Sequence, residues 1–146
     1  MTALTYGSNY IYYFESSSGK VGVSEGTGEL WATAGTGDAA EIWFELASNT
    51  SNSGTSVNAG DGVYLCANGR GTKRYLNKRA VGDDMRWDLV LSIVWTISSD
   101  GVATGQPIPV GATVTFGDGS GYVGLGTSGY LAYTGQALDL VPTFTS

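Results

Sequence analysis

The sequence has no histidine, a single cysteine (Cys66) and three prolines. Without imidazole, the commonest general base and the commonest neutral metal ligand are both missing. With only one thiol as well, no zinc site can be assembled from thiolates and imidazoles, and neither a metal nor a cofactor is expected. One cysteine also excludes an internal disulfide, so the chain is not a small stapled scaffold. Charged side chains make up only 14% of the chain, against a usual ~25%. No apolar run approaches the ~18 residues of a spanning helix, so no membrane insertion is expected. Residues 1–14 lack both the basic start and the continuous apolar run of a signal peptide. A cytoplasmic location is expected, with unconventional release as the other route.

What is present is aromatic and glycine-rich. Nine tyrosines, four tryptophans and four phenylalanines exclude disorder for the bulk of 146 residues. Twenty-three glycines predict many turns. The length suits one domain over 1–146. The net charge of −6 argues against nucleic acid as a partner. That total hides an asymmetry. Arg70, Lys73, Arg74, Lys78, Arg79 and Arg86 face only Asp83 and Asp84 over residues 62–87, while the rest of the chain sets Lys20 against eleven carboxylates.

The chain repeats. Tyr12, Val63 and Val114 follow one another at steps of 51 residues, as do Phe14, Leu65 and Phe116. The closing segments from Glu41, Ser92 and Asp139 share a pattern in which Leu46, Ile97 and Phe144 correspond. Between these ends, Phe14–Val23 aligns without gaps to Phe116–Leu125, and the middle unit departs most, through its basic segment. Each unit reads as four short strands, in the first at about 9–15, 20–24, 29–34 and 41–47. No sustained 3.6-residue apolar stripe occurs, so the expected class is all-β. Repeats at about 7–50, 58–101 and 109–146 would close a barrel with pseudo-threefold symmetry, which removes exposed strand edges.

On these residues the chain resembles the β-trefoil superfamily. The run Ser18–Val23 followed by Ile42-Trp43-Phe44-Glu45-Leu46 is most similar to fascin-type and lectin-type units. The Gln-x-Trp signature of ricin-type units is absent. The resemblance implies a non-catalytic binding protein. The first function it implies is a lectin for glycans or glycoproteins. The alternative is a protein-binding module, either a protease inhibitor presenting Gln106-Pro107-Ile108-Pro109 or an actin-binding, fascin-like protein. A homo-oligomer is compatible with either.

The chemical motifs point away from catalysis. Gly119-Ser120-Gly121-Tyr122-Val123-Gly124 fits a phosphate-loop string, but turn residues follow where a helix is required. Cys66 and Ser120 lack a base, and Asp83-Asp84 sits among arginines. No enzyme is expected. For a glycan, rings stack on sugar C–H faces while amides and guanidinium groups take hydroxyls. Arg74, Tyr75, Asn77, Arg86 and Trp87 of the middle unit, together with Trp31, combine those groups and form the expected site. The cations around them point to an acidic glycan. Trp43 and Trp95 read as packing residues. Asn49-Thr50-Ser51 is a glycosylation sequon that matters only in a secretory pathway.

Overall fold

The computed structural model describes residues 2–26, 28–79, 81–90 and 93–145. Ser92 and Ser146, which bound two of the repeated closing segments, lie outside them. Thirteen strands and no helix are found among the described residues. The chain begins with β1 (Tyr12–Ser16), β2 (Gly19–Glu25), β3 (Leu30–Ala34), β4 (Asp38–Ala39) and β5 (Ile42–Leu46). It continues with β6 (Gly62–Gly69), β7 (Thr72–Asn77), β8 (Arg86–Asp88) and β9 (Trp95–Ser99). The last four are β10 (Val114–Gly117), β11 (Tyr122–Leu125), β12 (Leu131–Thr134) and β13 (Val141–Phe144).

The pairings close a barrel. β5 pairs with β1 and β6, β6 with β9, and β9 with β10. Val114 and Leu140 then exchange backbone hydrogen bonds of 2.7 and 2.9 Å, and β13 pairs back onto β1. Closure leaves no edge on this circuit, which is why strands of four to eight residues suffice. Alternation sends Tyr12 and Phe14 inward from β1, Val63 and Leu65 from β6, and Val114 and Phe116 from β10; all are at most 1% exposed. Phe14 stacks on Phe116 at 5.7 Å, and Phe44 packs within 6.3 Å of both. Phe144 differs from its expected core position. It is 49% exposed, with its ring stacked on Tyr12 at 5.6 Å.

Three hairpins, β2–β3, β7–β8 and β11–β12, cover one end. They are not equal. Only the first carries an added strand, β4 on β2. β3 and β8 pair through Trp31 and Arg86, joining two hairpins, whereas the third is attached by the bridges Thr33–Tyr130 and Asp84–Ala132. The architecture is therefore a closed β-barrel with extra strands, and the β-trefoil of three four-stranded repeats expected from the sequence is corrected to that description. The apolar period fixes the barrel strands, but local turn chemistry sets the size and attachment of each hairpin. The segment from Met85 to Ile97 likewise splits. β8 ends at Asp88, Leu89 and Val90 are exposed, and β9 starts at Trp95.

Candidate functional site

The residues expected to form one site lie on the paired strands β3, β8 and β7, but their side chains face different surroundings. β7 and β8 alternate, so Leu76 and Trp87, opposite one another, both enter the core. Trp87 is 1% exposed, and its Nε1 donates to the Gly22 carbonyl at 3.2 Å. Asn77 is 5% exposed and donates to Asp88 at 3.0 Å. Both side chains are turned away from solvent, and Trp87 helps to seal the barrel end. Arg74 lies against its own hairpin, donating to the carbonyls of Gly69 and Trp87. Tyr75 stands on the outer barrel wall between Tyr64 and Lys73. Trp31 and Arg86 meet through their side chains: the guanidinium lies 4.3 Å from the centre of the Trp31 ring, which also packs against Tyr130 at 5.8 Å and beside Gly26.

Most of the basic segment is ion-paired. Arg70 pairs with Glu25 at 3.2 Å and Lys73 with Glu45 at 2.7 Å. Glu29 takes both Arg79, at 2.9 Å, and Arg86, at 2.7 Å. Lys78 pairs with Asp118. The acidic remainder of the chain thus supplies counter-charges for five of the six cations, while Arg74 meets backbone carbonyls instead.

A different cleft collects suitable groups. It has a volume of about 370 Å³ and lies between the first hairpin, β4, and the turn joining β6 to β7. Tyr13 and Trp43 give aromatic surface, Glu25, Asp38, Glu41, Asn68 and Arg70 give polar groups, and Val23 and Leu30 complete the lining. The wall from the middle unit exists because Arg70 and Gly71 adopt left-handed conformations, with φ of 51° and 75°, which turn the hairpin tightly. Asp38 and Glu41 are exposed, and their side chains make no hydrogen bond or ion pair among the described residues. Trp43 is only 5% exposed and forms the floor, while Tyr13 is half-buried. The sequence reading placed Trp43 in the packing and missed the cleft. The signal lay in the repeat, because Val94 and Val141 stand where Trp43 stands.

The nucleophile candidates are quiet. Burial, with the nearby charge of Glu45, pushes the Cys66 thiol well above its ordinary range, so it stays protonated. Among the described residues no group of three His, Cys, Asp or Glu side chains could hold a metal ion. No helix among the described residues is long and apolar enough to cross a membrane. The Gln106–Pro109 loop is built into the fold. Ile108 is fully buried, and Ile108, Pro107 and Pro109 pair with Val57, Asn58 and Ala3.

No family model matches the sequence, and no curated protein matches it. Among solved structures, the lysenin pore matches with a TM-score of 0.66 at 11% identity, over 100% of this chain and 49% of that one. At that identity the likeness concerns the fold alone, and this chain spans about half of the neighbour's length. The resemblance to fascin-type and lectin-type trefoil units is corrected by this finding. A structure that aligns over the whole chain is that of a pore protein, and no family model supports the trefoil resemblance.

Proposed function

We propose that the protein is a non-catalytic glycan-binding protein and that the cleft walled by the first hairpin and the β6–β7 turn is its site. The observation that carries this reading is the cleft's composition. Tyr13 and the edge of Trp43 offer apolar surface to a sugar's C–H face, beside Asn68, Asp38 and Glu41, which exchange hydrogen bonds with hydroxyls. The favoured ligand is a neutral glycan. Asp38 and Glu41 repel uronate and sialate groups, and Arg70 is already held by Glu25.

The three-unit repetition belongs to this reading. It is supported by the matched inward positions, and by Ala40 N–H and Leu138 N–H donating to Val21 and Val123 at 2.9 and 3.0 Å. A pore-building role has only the partial likeness to the lysenin pore behind it, and no feature of this chain favours it.

The test is a glycan array with wild type, with an Asp38→Ala/Asn68→Ala variant, and with Arg74→Ala. The expected outcome is a coherent set of neutral glycans, lost in the double variant and kept in Arg74→Ala. A blank array at high protein concentration, or binding unaffected by the double variant, refutes the assignment.

A further inference from the structure

We propose that Glu45 is a positioning residue: its carboxylate holds the Trp43 indole at the floor of the cleft, and Lys73 of the neighbouring hairpin balances its charge. The value of that floor rests on the glycan-binding reading; the positioning itself rests on geometry. Residues 43 and 45 leave β5 on the same face, two positions apart. Trp43 Nε1 donates to Glu45 Oε2 at 3.2 Å, and Lys73 Nζ donates to the same oxygen at 2.7 Å. Glu45 is 6% exposed, and its Oε1 is buried without a hydrogen-bond partner among the described residues.

Packing alone does not ask for this carboxylate. A buried ion pair is commonly replaced by apolar side chains of similar volume without loss of stability, because desolvation offsets the Coulomb gain. Here one carboxylate oxygen meets no nitrogen or hydroxyl donor and has only the weakly donating Cys66 thiol nearby. Lys73, 41% exposed along its side chain, would return to water at little cost. The repeat gives an internal comparison. Where the first unit has Trp43 and Glu45, the second has Val94 and Thr96 and the third Val141 and Thr143. The other two units complete the same strand of the same barrel with neither residue. The indole and its carboxylate therefore occur together, at the one closing strand that lines the cleft.

The hydrogen bond can be read directly from the indole N–H resonance of Trp43 in a nitrogen–proton correlation spectrum, assigned with Trp43→Phe. Glu45→Met is expected to move that resonance upfield and to lower affinity for a neutral glycan from the array about tenfold. Its melting temperature should equal or exceed that of wild type. Glu45→Gln, whose amide oxygen still accepts the indole N–H, should keep both the resonance and the affinity near wild type. An unmoved resonance in Glu45→Met overturns the proposal, as does a Gln variant damaged as severely as Met. Loss of cooperative folding in Glu45→Met also overturns it, since the charge would then be structural. The resonance is read without ligand, so failure of wild type to bind any glycan counts against the glycan reading and leaves the positioning test intact.

Discussion

At the scale of single residues, the four tryptophans divide by what their nitrogens find. Trp87 and Trp95 donate to backbone carbonyls of Gly22 and Leu76 and are sealed in the core, whereas Trp43 donates to a side chain, and Trp31 lies half-buried under Arg86. Trp87→Ala should cost about 3–5 kcal/mol in denaturant unfolding, as expected for deleting a fully buried ring. Asp118 is a second sensitive point. Burial alone would raise its pKa, but the Lys78 ammonium, the Tyr133 hydroxyl and the amides of Ser120 and Gly121 outweigh this and hold it far below the usual range. A depressed folded-state pKa gives stability that is complete above the unfolded value near ~4 and is lost as pH falls below it. Asp118→Asn should therefore flatten the fall in melting temperature between pH 4 and pH 2 while lowering stability at pH 7; an unchanged acid profile contradicts this role. The core aromatics were legible from the sequence because ring positions recur at a fixed step. Burial of Trp87 was not, since a third strand of three residues shows no alternation long enough to say which face is inside, and Asn77 is buried directly after buried Leu76 at the end of β7, where alternation fails.

At the scale of elements, tight backbone crossings decide which hairpins can form. Gly35, at φ 84°, donates to the Lys20 carbonyl at 2.8 Å, and a Cβ there would collide with the Ser18 carbonyl. Gly35→Ala should destabilise by about 2 kcal/mol or more, combining left-handed strain with the steric clash. Thermal melts that match wild type would show that the β1–β2 turn yields instead. The barrel strands follow from Val, Ile and Phe in alternation, so their places could be read in advance within a few residues. β4 could not, because Asp38 and Ala39 carry no strand pattern and pair with β2 only once the loop after β3 folds back. The cleft was hidden for a related reason. Its walls come from the first hairpin and from the turn after β6, which are separated in sequence and joined by the Arg70–Glu25 pair.

At the scale of the whole molecule, charges segregated along the sequence are largely paired in space. The basic segment looked like a ligand surface because its partners, Glu25, Glu29, Glu45 and Asp118, lie in other parts of the chain. Ligand binding at the cleft should accordingly change less than about twofold when salt rises from ~0.05 to ~0.5 M, a range over which screening strongly weakens an ionic ligand. The most direct test of the account is to titrate a glycan selected by the array into isotopically labelled protein and map the perturbed resonances. The account predicts shifts at Tyr13, Asp38, Asn68 and the Trp43 indole, with Trp31, Arg86 and Tyr130 unmoved. Shifts centred on Trp31 and Arg86, with the cleft silent, would contradict it and return the site to the seam between β3 and β8.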